Sequence, residues 1–200
     1  MVSQNNILFL GPQDSPLLSW LIHEGENVVQ TDNRIDTAFL EKERIFFLVS
    51  YGYRHIIKAD ILDALPDRAI NLHISYLPWN RGADPNLWSF IDNTPKGVTI
   101  HYLDEGVDTG DIIVQKKVDF DADTETLATS YQKLQGEIQA LFKLNWKEIK
   151  AGTCPRYKQC GTGSLHTLKD KEPILHILTE GWDTPVSVLE QFGRKTTRRP

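Results

Sequence analysis

Apolar positions along the chain switch between two periods. Short apolar runs, which predict buried strands, alternate with stretches where apolar residues recur every three or four positions, which predict helices. Ile7–Leu10 is such a run and ends at Gly11. Ser15 then stands where a helix cap belongs, with Pro16 in the first turn. Leu17, Leu18, Leu21 and Ile22 follow on one face as far as Gly25. Val28–Gln30, Arg44–Val49 and Ala69–His73 predict further strands, with helices over Ile35–Leu40 and Ile57–Leu65 between them. A loop from Pro78 to Pro85 leads to a helix near Asn86–Ile91, and Val98–Leu103 and Ile112–Val118 predict two more strands. A long helix is expected from a cap at Asp123 or Thr124 to about Lys150, with Gly152 as its stop. Its stripe of Leu127, Tyr131, Leu134, Ile138, Leu141, Phe142 and Ile149 is the pattern of core packing. The alternation predicts an α/β fold, a mostly parallel sheet flanked by helices, with strand C-termini on one ligand-binding edge.

Beyond Gly152 the periodicity weakens. Cys154 to Ser164 is rich in turn signals, Leu165–Leu178 mixes charged and apolar positions, and Gly181–Pro185 is another turn. The expected organisation is one domain over residues 1–150 and a short C-terminal appendage over 151–200.

Composition narrows the function classes. The 200 residues carry 22 Lys and Arg against 27 Asp and Glu, a formal charge of −5. A surface of that sign is a poor match for nucleic acid, whose binding needs displaced counterions. The basic end Arg194–Pro200 is short enough to be expected to fray. Hydrophobic residues at 40% and charged residues at 24% describe a globular chain. No apolar run approaches the roughly 20 residues of a membrane span, and residues 1–6 lack the basic-then-apolar pattern of a secretory signal. Membrane insertion is therefore not expected. Cys154 and Cys160 fit no zinc spacing, so no metal is expected, and two free thiols suit a reducing cytoplasm.

Common catalytic signatures are missing. There is no G-x-G-x-x-G after a strand, no G-x-x-x-x-G-K-[ST] and no G-x-S-x-G. The informative stretch is Ile70–Gly110. Asn71 and His73 lie two apart in a predicted strand and so share a face at the ligand-binding edge. An amide donor beside an imidazole suits acyl transfer: one stabilises a developing oxyanion, the other moves a proton near neutral pH. The pair taken alone is better explained by a structural histidine beside a turn-forming asparagine. Two further features tip the balance. The constrained loop Leu77–Pro85 follows the strand, and Asp104–Asp111 brings carboxylates able to orient the imidazole.

The pattern N-x-H-x-S-x-L-P-x-x-R-G, followed by D-x-G-x-D-T-G, resembles the folate-dependent formyltransferase family over about residues 1–150. The resemblance implies a Rossmann-like formyltransferase fold, a catalytic triad of Asn71, His73 and Asp108, and N10-formyltetrahydrofolate as formyl donor, with no metal. Asp104 and Asp111, by contrast, read as solvated turn carboxylates. Tyr53, Arg54, His55, Ile56 and Ile57, together with Asp104, Glu105, Gly106 and Val107, match the family's folate pocket. Gly11, Gln13, Trp79, Asn80, Arg81 and Gly82 are the expected acceptor contacts.

Among acceptors, methionyl-tRNA is disfavoured by the acidic charge and by the lack of room for that member's β-barrel. Glycinamide ribonucleotide is disfavoured because Gly11-Pro12-Gln13-Asp14-Ser15 replaces a phosphate loop: Pro12 removes an N–H and Asp14 repels phosphate. The runs Val49–Ile57 and Leu77–Trp88, and the tail pieces Gly161–Lys171 and Gly181–Pro185, resemble sugar N-formyltransferases. Those enzymes formylate nucleotide-linked amino-dideoxysugars destined for O-antigen, lipopolysaccharide or other surface glycans. A nucleotide-linked aminosugar is thus the expected substrate, with nucleotide, sugar and a homodimer left open. A silent folate or nucleotide-sugar binding module is the alternative of another class, and the intact triad argues against it.

Overall fold

The computed structural model describes residues 5–196. Part of the residue 1–6 signal expectation and most of the fraying expected for Arg194–Pro200 fall outside these residues. Six strands form the main sheet: β1 (Asn6–Leu10), β2 (Val28–Thr31), β3 (Ile45–Ser50), β4 (Ala69–His73), β6 (Gly97–Tyr102) and β7 (Ile112–Lys117), in the order β2-β1-β3-β4-β6-β7. The pairings β1–β2, β1–β3 and β3–β4 are parallel. β7 runs antiparallel to β6, since Tyr102 N bonds Asp111 O near one end and Val118 N bonds Lys96 O near the other. The architecture is the mixed α/β sheet that the alternation predicts.

Contacts divide the chain into two compact units. The first comprises Met1–His73, Ile100–Ile113 and Phe142–Tyr157; the second comprises Ile74–Thr99, Val114–Leu141 and Lys158–Pro200. This differs from a single cut near residue 150, because β6, β7 and the long helix each pass from one unit to the other.

In the first unit, successive residues of β1 point to opposite faces of the sheet. Leu8 and Leu10 join Leu48, Ile61 and Leu65 in one buried cluster. Aromatic packing holds another part of this unit: Phe47 meets Trp146 edge-on at 5.4 Å, and Trp146 donates its indole N–H to Glu26 at 2.9 Å. Helix α1 (Pro16–His23) starts as expected, with Ser15 Oγ accepting from Leu17 N. Gly25 follows it at φ 84°, the left-handed turn that ends helices. Ile22 departs from the expected stripe and is exposed, since the buried arc is carried by Leu17, Leu18 and Leu21 alone. Helix α2 is Thr37–Lys42, two residues later than its apolar pattern suggests, because the Asp36 carboxylate caps it through Phe39 N. Helix α3 (Ala59–Ala64) is shorter than the expected Ile57–Leu65.

The second unit is built on α4 (Pro85–Ile91), the first half of α5 (Leu127–Ala151) and α6 (Val186–Thr196). Leu87, Trp88, Phe90, Ile91, Leu127, Ile177, Val186 and Leu189 form its core. Gly193 of α6 lies so close to the Ile91 carbonyl that a Cβ there would overlap it. The tail expected as an appendage therefore supplies part of a core. Helix α5 begins at Leu127, not at Asp123 or Thr124: those two residues belong to a separate turn on Asp121. Thr126 and Thr129 cap the helix reciprocally, each Oγ1 accepting from the other's N–H. Tyr131 in its stripe is exposed and sits edge-on to Trp182 at 5.4 Å, while Trp146, absent from the expected stripe, is buried. The loop after Pro78 contains a short strand, β5 (Arg81–Gly82), paired in parallel with β8 (Leu165–His166). A 3₁₀ helix over Leu168–Ile177 follows, started by the Thr167–Asp170 capping box.

Candidate active site

β4 lies between β3 and β6 in the sheet and pairs with β3 in the register Leu48–Ala69, Val49–Ile70 and Ser50–Asn71. Ile70 and Leu72 point to the apolar side, so the strand's period turns Asn71 and His73 together to the other. The strand ends at His73, whose side chain is 9% exposed. Asp108 arrives from the loop between β6 and β7. Asn71 Nδ2 donates to Asp108 Oδ1 at 3.1 Å, and His73 Nδ1 stands 3.7 Å from Asp108 Oδ2. The amide, imidazole and carboxylate singled out in the sequence thus meet at one place.

The loop that carries Asp108 is tightly built. Asp104 Oδ1 accepts from Gly106 N at 3.1 Å and from Thr109 Oγ1 at 2.7 Å. Asp108 itself takes φ 52°, a left-handed conformation uncommon outside glycine. A Cβ at Gly110 would overlap the Tyr102 carbonyl, so only glycine lets the loop close here. Asp104 therefore shapes the loop from within.

One residue joins the site that sequence patterning misses. His101, on β6, is 1% exposed and places Nε2 3.4 Å from Asp108 Oδ1 and 3.3 Å from Asn71 Nδ2. Its Nδ1 lies 2.8 Å from the Tyr102 carbonyl, which requires the proton there. Neutral His101 then accepts from Asn71, whereas its charged form donates to Asp108. The one available signal was an ionisable residue in the mostly apolar β6 run. Asp111 corrects an expectation: it is buried and accepts from Arg156 Nε at 2.7 Å, so it is not a solvated turn carboxylate.

The expected folate-pocket residues divide by exposure. Arg54, Ile56, Asp104, Glu105, Gly106 and Val107 are exposed, with Ile56 at 82% and Val107 at 51%. Tyr53 bonds the Asn33 carbonyl at 2.8 Å and meets the His55 ring edge-on at 5.3 Å. Burial pushes the Tyr53 phenol above the usual tyrosine range, against the pull of Arg34. Ile57 packs on the first unit's core.

The expected acceptor contacts divide as well. Gly11 is buried at the end of β1, and its carbonyl accepts from Gln30 Nε2 at 2.7 Å, while Gln13 is exposed. In the second unit Asn80 is fully buried. It bonds Ser164 through N–H at 2.8 Å and Thr94 through Nδ2 at 2.7 Å, so its side chain fixes the loop and faces no solvent. Gly82 pairs with His166 and leaves no room for a Cβ. Arg81 donates to the Thr162 carbonyl at 3.0 Å, and Trp79 is half-buried.

Residues 22–143 match the formyl transferase family model. The chain belongs to this family. The formyltransferase PseJ from Anoxybacillus kamchatkensis, solved with UDP-4,6-dideoxy-4-formamido-L-AltNAc and tetrahydrofolate, is 48% identical. The match covers 94% of this chain and 100% of that one at a TM-score of 0.89. A sugar N-formyltransferase from Shewanella shares the fold at 20% identity, over 95% of this chain and 86% of that one, with a TM-score of 0.73. The methionyl-tRNA formyltransferase of Lachnospira eligens is 34% identical over 156 residues, covering 76% of this chain and 49% of that protein. The chain spans about half the length of the curated relatives it matches. Among the described residues, no cluster of three or more His, Cys, Asp or Glu could hold a metal ion, and no helix is long and apolar enough to cross a membrane.

Proposed function

We propose that this protein transfers a formyl group from N10-formyltetrahydrofolate to the amine of a nucleotide-linked amino-dideoxysugar, with UDP-linked 4-amino-4,6-dideoxy-L-AltNAc as the foremost acceptor. The observation that carries this reading is the near-complete match to PseJ, whose structure holds the formamido counterpart of that sugar and tetrahydrofolate. Ile56 and Val107, exposed apolar residues in the two stretches that match the family's folate pocket, would offer apolar contact to the donor's flat ring. N10-formyltetrahydrofolate supplies a formyl carbon already attached to a nitrogen leaving group.

The chain's own groups would do the rest. As an acceptor amine adds to the formyl carbon, Asn71 and charged His73 stabilise the negative charge growing on the formyl oxygen. Asp108 orients the imidazole from 3.7 Å and fixes the Asn71 amide. The new C–N bond forms, the bond to the donor nitrogen breaks, charged His73 gives its proton to that leaving nitrogen, and the proton lost by the amine restores the imidazolium. A formamido sugar still linked to its nucleotide suits later transfer into a surface glycan.

The test is incubation with N10-formyltetrahydrofolate and a panel of amines, followed by tetrahydrofolate release and product mass. Turnover with a nucleotide-linked aminosugar supports the reading. Turnover confined to glycinamide ribonucleotide or methionyl-tRNA moves the protein to those acceptors. Binding of donor and sugar without transfer replaces it with the silent module. The net charge of −5 weighs against tRNA.

A further inference from the structure

Residues Gly152 to Tyr157 lie beyond the last long helix, where the sequence carries no motif. The structure returns this segment to the loop of Asp108. Tyr157 and Ile112 exchange two backbone hydrogen bonds, Ile112 N to Tyr157 O at 2.7 Å and Tyr157 N to Ile112 O at 2.9 Å. That bridge delivers Arg156 to three partners. Its Nε donates to Asp111 Oδ2 at 2.7 Å, its Nη1 pairs with the Asp67 carboxylate, and its guanidinium lies 4.4 Å over the Tyr102 ring.

These partners are not scattered. Tyr102 and Asp111 are the two ends of the Asp108 loop, closed by Tyr102 N to Asp111 O at 2.9 Å. Tyr102 also offers the carbonyl that sets the His101 ring. Asp67 sits at φ 59° in the turn that feeds β4, four residues ahead of Asn71. We propose that Arg156 is a positioning residue for the triad: one guanidinium fastens the turn that launches Asn71 and His73 to the base of the loop that presents Asp108.

The chemistry favours arginine specifically. A planar fork can donate to two carboxylates while its face covers an aromatic ring, and a lysine ammonium cannot do all three. Asp111 is buried, so loss of Arg156 leaves a carboxylate without its cationic partner three residues from Asp108, which forces the loop to adjust. Hydrogen bonds from Arg156 to Asp67 and Asp111 in turn hold the guanidinium in its charged form.

The assignment rests on the formyl-transfer reading, so its test needs one readout that does not depend on turnover. The full chain is compared with Arg156→Ala and Arg156→Lys in steady-state formyl transfer and in NMR of the His73 ring, which faces Asp108 from the loop and His101 from β6. Arg156→Ala is expected to lower kcat about 10-fold with KM changed less than about two-fold, because the groups are displaced and no ligand contact is lost. His73 ring signals should move, and Arg156→Lys should fall between wild type and alanine in both readouts. Unchanged His73 signals in both variants overturn the proposal, even if the thermal midpoint falls. If the alanine variant does not fold, the lysine variant decides by the same criteria. If wild type shows no transfer to any amine, the functional reading fails while the His73 signals still decide the role of Arg156.

Discussion

Among the described residues, both units bury neutral polar side chains, but only the first buries ionisable ones. In the second, the buried polar side chains are Ser75, Asn80, Asn86, Ser89, Thr99, Ser130 and Thr184, all neutral. Their bonds are short and local to that unit: Ser75 Oγ to Trp79 O at 2.8 Å, Thr99 Oγ1 to Ser75 O at 2.7 Å, Asn86 Nδ2 to Ser130 Oγ at 3.0 Å. In the first unit, Ser15 and Ser50 are buried and neutral as well, but the buried His73, His101 and Asp111 are ionisable, and they lie within the stretches that carry Asn71 and Asp108. Burying a neutral hydroxyl or amide costs little once it is paired, and the pairing fixes a loop. Burying a titratable group costs more, and is tolerated where a change of charge is of use. On the proposed function, the contrast separates a unit whose interior polarity is architectural from one whose buried ionisable groups flank the reaction.

Substitutions can sharpen or break this contrast. The largest effect is expected for His73→Asn, which should cut formyl transfer by about 10³-fold, on the order of 4 kcal/mol in the barrier, with little change in thermal midpoint. Turnover within a few-fold of wild type would remove His73 from the chemistry and dissolve the contrast on its chemical side. Asn80→Ala in the second unit should act the other way. Loss of its buried bond to Thr94 is expected to cost about 2 kcal/mol in denaturant unfolding, with kcat per folded molecule retained. A stable variant with lost turnover would make Asn80 part of the reaction.

The smallest effect is expected at His166, whose ring stacks on Trp88 at 4.0 Å and bonds Asp92 at 2.8 Å. His166→Ala should lower stability by about 1 kcal/mol, and His166→Phe should recover part of it by keeping the stack. Equal losses in the two variants would assign the effect to the Asp92 bond instead.

Local pattern alone determined a good deal. Strand β4 has the bounds read from its apolar run, Ser15 caps α1 as its position suggests, and the period of two puts Asn71 and His73 on one face. The D-x-G-x-D-T-G stretch announced its own turn, because glycine and aspartate there carry conformational preferences that need no distant partner. Tertiary structure decided the rest. His101 looks like any residue of a buried strand until β4 and the Asp108 loop close around it. Asp111 reads as a turn carboxylate until Arg156 reaches it from 45 residues away. Arg81–Gly82 is a loop in sequence and a strand only through Leu165–His166, and the start of α5 was set by Thr126 and Thr129, not by the first polar residues of the turn. Periodicity reports which face of an element is apolar, but it carries no term for contacts between residues far apart in the chain. The burial of His101 and Asp111 and the hydrogen bonds of Arg156 are set by such contacts.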